Sequence, residues 1–341
     1  MANTSERASV AVLGGGSWGT ALAAHLARQT DDPIRLWARE PEVVASIQTT
    51  RTNDRFLPGV QLPGNLDPTT DVRAAVAGAG MVVSVVPSQF VRTVLQEVAP
   101  ALTPGVHLVS ASKGIETSSL LRMDEVFTSV LPERNMARFT VLSGPSFARE
   151  VAQEVPTAVV VASHSVTARG HAQERFQTDS FRVYTNPDVV GVELGGALKN
   201  VMAIATGMVA GLGLGYNTQA AVITRGLAEI TRLGLSQGAR ASTFAGLAGM
   251  GDLVLTCTGP LSRNRTVGER LGQGESLAQV TRDMKTVAEG IETAHAVVEL
   301  AERQGVDMPV AREVSAILRG EREPMEAVRN LMVREPRSEG T

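Results

Sequence analysis

Two lysines stand where an ammonium group could move a proton. Lys113 directly follows an apolar run, in SASKGIE (110–116). Its neighbours Ser112 and Gly114 make a turn at what would be the ligand-binding edge of an α/β sheet. Lys199 lies in VVGVELGGALKNVMAIATGMVAGL, among Leu198, Val201 and Met202. Such a lysine either snorkels its head to water or is buried. Burial, or a second cation nearby, favours the neutral amine, which suits proton transfer near neutral pH. Asn200 is adjacent in sequence but about 100° away round a helix. Asp252 follows GMG and is placed to orient an ammonium; Thr256, four residues on, shares its face on a helix. Ser262, Arg263, Asn264 and Arg265 close GLAGMGDLVLTCTGPLSRNR (246–265). They are either an exposed basic loop or a phosphate clamp. Cys257 has no histidine near it in sequence, so a nucleophilic role is not expected.

These groups need a scaffold, and the N-terminus supplies its signature. VAVLGGGSWGTALAAHLA contains Gly14-x-Gly16-x-x-Gly19 between a strand-like run and a helical one. The first glycine permits the tight turn, the second admits a diphosphate to the backbone, and the third allows close helix–strand packing. Free N–H groups at the helix start then face the phosphates. The alternative is an ordinary β–α turn. Trp18, between the second and third glycines, either bounds the cofactor through its ring or backbone N–H or packs at a domain interface. The next strand, IRLWARE, ends in Arg39 rather than an acid. A guanidinium there suits a ribose 2′-phosphate, so NADPH or NADH is expected, with NADPH accepted.

Valine-rich runs at 10–13, 34–38, 81–87, 107–111, 140–143, 158–162 and 182–184 show little polar alternation, as strands buried on both faces do. Helical patterns such as 20–29 and 89–99 lie between them. The pattern predicts an α/β fold: an N-terminal Rossmann-type, doubly wound, mostly parallel sheet over 1–190. From 191 to 341 strand-like runs almost vanish, and 188–210, 218–233, 276–281, 293–303 and 310–318 read as helices. This second domain is expected to be all-helical, with the boundary near 187–191. The ends, 1–7 and 335–341, are expected to fray.

Composition narrows the function classes. The 341 residues are 43% hydrophobic and 20% charged with a net charge of −3, so no global basic field exists for nucleic acid. One cysteine fits a reducing compartment. No metal site is expected from five scattered histidines, and no apolar run reaches the ~18 residues of a membrane span. A cytoplasmic enzyme acting on a small molecule is the expectation.

GGGSWGTALA, SASKGIE, LSGPSFA, ELGGALKNVMAIATG, LAGMGDLVLTCTGPLSRNR and VAEGIETA occur in that order. Together they resemble bacterial NAD(P)-dependent glycerol-3-phosphate dehydrogenases over roughly residues 10–319, with no departure at a motif position. The resemblance implies hydride transfer between NAD(P)H and dihydroxyacetone phosphate, giving sn-glycerol 3-phosphate for phospholipid synthesis. It implies Lys199 as general acid/base, with Lys113, Asp252 and Thr256 as further catalytic residues. Gly14, Gly16, Ser17, Trp18, Gly19, Arg39, Lys113, Ala148, Arg263, Val287 and Glu289 would bind the cofactor. Lys113, Gly144, Ser146, Lys199, Asp252, Ser262, Arg263 and Asn264 would bind the phosphorylated triose. A homodimer through the helical domain stays open. The rival enzyme is a two-domain 3-hydroxyacid or ketopantoate-type dehydrogenase, whose carboxylate substrate would not require the 262–264 cluster. A dinucleotide-sensing regulator would need no Lys113, Lys199 and Asp252 set.

Overall fold

The computed structural model describes residues 9–282, 284 and 288–335. Apart from Glu335, the ends expected to fray lie outside these residues. The chain forms two compact units: residues up to Glu116 with Leu121–Glu193, and Thr117–Leu120 with residues from Leu194 on. The division falls inside the helix Val189–Gly211.

Among the described residues the first unit holds one eight-stranded sheet. Its strands are β1 (Val10–Leu13), β2 (Ile34–Trp37), β3 (Leu66–Thr69), β4 (Met81–Ser84), β5 (His107–Ser110), β6 (Phe139–Ser143), β7 (Thr157–Ala162) and β8 (Phe181–Asn186). The order is β3-β2-β1-β4-β5-β6-β7-β8, a Rossmann-type arrangement that is parallel except where β6 meets β7. β1, β4, β5 and β6 are buried at every position, which is why they read as unbroken apolar runs. β3 was not expected, because its sequence is LDPT. It pairs with β2 from Ile34↔Leu66 to Trp37↔Thr69, and an edge tolerates the missing N–H of Pro68. Strand order reverses at β1 and β4, so a crevice opens beyond their carboxyl ends.

β5 begins with a histidine that is wholly buried. His107 Nδ1 lies 2.7 Å from His171 Nδ1, and its Nε2 lies 2.8 Å from Thr140 Oγ1. Burial pushes its pKa down to about 3, and His171 and Arg138 add to that. The folded state therefore binds fewer protons than the unfolded state between about pH 3 and 6.5, so stability falls as pH drops through that window. Glu229 acts oppositely. Buried in the helix Gly215–Ser236, it accepts from the N–H groups of Val310 (2.8 Å) and Ala311 (3.2 Å), and burial raises its pKa to about 7. It thus removes stability as pH rises from about 4.5 to 7. The His107 contribution is isolated by comparing wild type with His107→Gln. Wild type should lose on the order of a few kcal/mol more than the variant between pH 7 and pH 4 in urea titrations. Equal losses in both proteins would remove His107 as the cause.

In the second unit the described residues form helices and no strand. Helices expected at 188–210, 218–233, 276–281, 293–303 and 310–318 occur as Val189–Gly211, Gly215–Ser236, Leu277–Arg282, Glu289–Arg303 and Pro309–Leu318. Asp252–Thr258, Arg263–Gly272 and Pro324–Met332 are helices that the apolar pattern did not show. Val189–Gly211 is long and apolar enough to cross a membrane, contrary to the sequence expectation, but 94% of that window is buried inside the protein. It is a core helix.

Two Gly-x-x-x-Gly pairs let this helix meet Arg263–Gly272 backbone to backbone. A Cβ at Gly207 or Gly211 would strike the carbonyl oxygen of Arg265 or Glu269. A Cβ at Gly268 or Gly272 would strike that of Ile204 or Met208. Each helix offers its glycines to the other's carbonyls, so the separation is set by main chain and not by side-chain packing.

Candidate active site

In the first unit the glycine loop joins β1 to the helix Ser17–Ala27. Gly14 has φ +124°, and a Cβ there would lie 2.7 Å from the carbonyl oxygen of Val85, just past β4. A Cβ at Gly19 would collide with the carbonyl oxygen of Gly14. The protein itself needs these two glycines. Gly16 is different: a Cβ there would meet no protein atom within 4 Å. It is the N-cap of the helix, whose first turn carries no acidic side chain to repel an anion. Open space before free N–H groups fits a diphosphate. Ser17 Oγ donates to Phe56 O at 2.5 Å. Trp18 packs against the sheet core, its indole Nε1 buried without a hydrogen-bond partner. Ala148 opens the helix Ala148–Ala152, which packs on Ser17–Ala27.

Arg39, past the end of β2, is exposed; it pairs with Glu40 at 3.2 Å, and its guanidinium carbon lies 6.0 Å from the centroid of Phe90. Phe90 is 52% exposed beyond β4 and was not singled out in the sequence. Its one signal there is its place after VVPSQ, at another strand end.

Lys113, Gly144 and Ser146 come together. The Lys113 Nζ donates to Gly144 O at 3.3 Å, and Ser146 Oγ donates to the same oxygen at 3.0 Å. Gly144 has φ +130°, a backbone conformation that a residue with a side chain rarely adopts. The Lys113 loop is anchored from below by groups the sequence did not reveal. Arg92 holds Glu116, 4% exposed, through Nε at 2.9 Å and Nη2 at 2.7 Å; Gln89 Nε2 donates to Ile115 O at 2.8 Å.

In the second unit Lys199 is buried at 7% exposure and is ion-paired to Oδ1 of Asp252, itself 1% exposed. Snorkelling is thereby ruled out. One turn earlier on the lysine's helix, a Cβ at Gly195 would strike the carbonyl of Ala248. That close approach brings the start of Asp252–Thr258 against Lys199. Thr256 Oγ1 donates to Asp252 O at 2.6 Å and lies 3.4 Å from its Oδ1. A charged pair this deep is held only because each charge has a partner. Cys257 is also buried, which pushes its thiol up to about 12 and keeps it from acting as a thiolate.

The 262–265 cluster is a helix start, not an exposed loop. Ser262 is the N-cap of Arg263–Gly272, its Oγ accepting from Arg265 N at 3.2 Å. Arg263 is exposed in the first turn. Asn264 is buried, and its Oδ1 accepts from Gly290 N at 3.0 Å, tying the start of Glu289–Arg303, and Glu289 with it, to this helix. A helix N-terminus carrying an exposed arginine is suited to a phosphate. Val287 lies outside the described residues.

Comparison with known proteins bears on both units. The family models described as NAD-dependent glycerol-3-phosphate dehydrogenase N-terminus and C-terminus match residues 9–169 and 188–329. The glycerol-3-phosphate dehydrogenase (NAD(P)+) of Geobacter metallireducens is 56% identical over 330 residues, covering 97% of this chain and 98% of that protein. The crystal structure of glycerol-3-phosphate dehydrogenase from Coxiella burnetii matches with a TM-score of 0.90 and 39% identity, over 96% of this chain and 99% of that one. A ketopantoate reductase of Ralstonia eutropha shares the fold alone, at a TM-score of 0.59 and 17% identity, over 94% of this chain and 99% of that one. With both halves of the family pattern present in order and over nearly the whole length, the chain belongs to the NAD-dependent glycerol-3-phosphate dehydrogenase family.

Proposed function

We propose that this chain interconverts dihydroxyacetone phosphate and sn-glycerol 3-phosphate with NADH or NADPH, and that Lys199 moves the proton. The observation that carries this is the buried Lys199–Asp252 ion pair in a chain of this family. When bound, the dinucleotide supplies or takes the hydride. The ketone oxygen gains negative charge in the reducing direction, and the Lys199 ammonium is a buried proton donor for it. Asp252 holds that ammonium in place, and Thr256 fixes the carboxylate. Lys113, with Gly144 and Ser146, binds substrate beside the nicotinamide end and adds positive potential.

Arg263 takes the substrate phosphate with the helix start that Ser262 caps and Asn264 braces, and also reaches the cofactor. Gly14, Gly16, Ser17, Trp18, Gly19 and Ala148 line the cofactor's site, and Val287 and Glu289 are assigned to cofactor binding as well. Residues 1–190 are assigned mainly to the cofactor, with Lys113, Gly144 and Ser146 also binding substrate, and 191–341 mainly to substrate and catalysis. The product supplies phospholipid synthesis, and the single cysteine supports a cytoplasmic setting.

A direct assay tests the reading: oxidation of NADH or NADPH should proceed with dihydroxyacetone phosphate and not with 2-keto acids. Ketopantoate turned over as fast as the triose phosphate would favour the carboxylate-reducing alternative. Arg39 gives a second test. Arg39→Asp should weaken NADPH about tenfold or more through loss of a charge-assisted contact while NADH changes little. Unchanged NADPH affinity would remove Arg39 from the ribose phosphate.

A further inference from the structure

Asn53 is wholly buried and lies 38 residues from the glycine loop in sequence, yet it is bonded to it. Its Nδ2 donates to Gly15 O at 2.8 Å and to Thr20 Oγ1 at 2.8 Å. Thr20 Oγ1 donates in turn to Gly15 O at 3.2 Å. The Asn53 Oδ1 accepts from Phe56 N at 3.1 Å, so the amide's orientation is fixed from both ends. The turn is closed by Leu57 N donating to Asn53 O at 2.8 Å, and Leu57, Val60 and Leu62 anchor it in the core of the sheet.

A trans peptide places its C=O and N–H on opposite sides, and no peptide bond here is cis. Two donors draw the Gly15 carbonyl inward. The N–H of Gly16, on the same peptide, is therefore turned outward to the side where Gly16 faces open space. Left alone, a Gly-Gly peptide flips at little cost.

We infer that Asn53 is a positioning residue for the cofactor: through Gly15 it holds the Gly15–Gly16 peptide with its N–H toward the diphosphate. It touches neither cofactor nor substrate. The inference rests on the reading of the glycine loop as the diphosphate site.

The experiment compares Asn53→Ala, Thr20→Val and Gly16→Val in the full-length protein. NADPH binding is followed by fluorescence, and adenosine, which has no phosphate, is scored as a competitor. Asn53→Ala should raise the NADPH Kd about 10- to 100-fold, since it strands buried partners and frees the peptide. The adenosine inhibition constant and kcat at saturating NADPH should stay near wild type. Thr20→Val, which removes one of the two donors to Gly15, should show the same selectivity at about 3- to 10-fold and decides the matter if Asn53→Ala does not fold. The inference is overturned if NADPH binds normally to the folded variants while Gly16→Val weakens it, or if NADPH and adenosine weaken in parallel. If Gly16→Val itself binds NADPH normally, the diphosphate reading fails, and the inference with it.

Discussion

Lys199→Met yields a protein that binds NADPH and has lost turnover, with kcat down by about 10²- to 10⁴-fold, the range a positioned proton donor supplies. Methionine keeps the length of the side chain among Leu198, Val201 and Met202 but brings no proton. It also takes from Asp252, 1% exposed, the Lys199 ammonium it is ion-paired to. Breaking a buried pair from one side costs roughly 3–5 kcal/mol, so the variant should be less stable in urea. That stability loss is a confounder, and a double variant removes it. Lys199→Met with Asp252→Asn keeps neither charge of the pair and should regain most of the stability while staying inactive. Turnover of Lys199→Met within a few-fold of wild type would show that the lysine is a structural partner of Asp252 and not the acid/base.

Gly268→Ala should unlock the helix crossing beneath that site. Two effects oppose. Alanine favours a helix interior over glycine by about 1 kcal/mol. Against it, the new methyl would occupy the place of the Ile204 carbonyl oxygen, which is main chain and has no rotamer to escape into. Overpacking of this kind costs about 1–3 kcal/mol and more where backbone must move. The collision wins, and the variant should be destabilised by about 2 kcal/mol or more, with kcat reduced because the lysine's helix shifts. Gly170→Ala is the control. Gly170 is exposed in the helix Val166–Phe176, and a Cβ there meets nothing within 4 Å. It should gain about 1 kcal/mol by propensity alone. A Gly268→Ala protein as stable as the Gly170→Ala one would mean the crossing gives way freely.

Most of the sheet was legible because strands buried on both faces announce themselves as apolar runs, and the glycine spacing marked the first of them. β3 was hidden, since LDPT acquires its strand only by pairing with β2. The helix Arg263–Gly272 was hidden for another reason. Its buried face consists of Asn264, Val267, Gly268 and Leu271, so glycine does the packing that a larger apolar residue would have advertised.

Within the site, Lys199 stood out as a charge amid apolar neighbours, and Asp252 followed from its glycine-rich approach. Asn53, Phe90 and the Arg92–Glu116 pair did not stand out. Asn53 works through a main-chain carbonyl far along the chain, Arg92 and Glu116 are 24 residues apart, and neither distance leaves a periodic trace. Ser262 and Asn264 carry structural duties, a cap and a brace, that residue type alone does not distinguish from ligand contacts.

The glycine crossing has a consequence for substrate choice. On the roles proposed, the proton donor sits eight residues before Gly207 on one helix, and the phosphate-binding arginine five residues before Gly268 on the other. Main chain pressed on main chain makes the pair of helices a fixed ruler. The span from a reacting carbonyl to a phosphate is then set from a fixed main-chain frame, and only the reach of the Lys199 and Arg263 side chains adjusts it. A substrate one carbon longer would have to be met by the Lys199 and Arg263 side chains alone, because the helices cannot part to make room for it. Exchanging side chains at the site would change reach and affinity from the same two backbones; moving the backbones themselves would require replacing glycines at the crossing, away from either proposed ligand group.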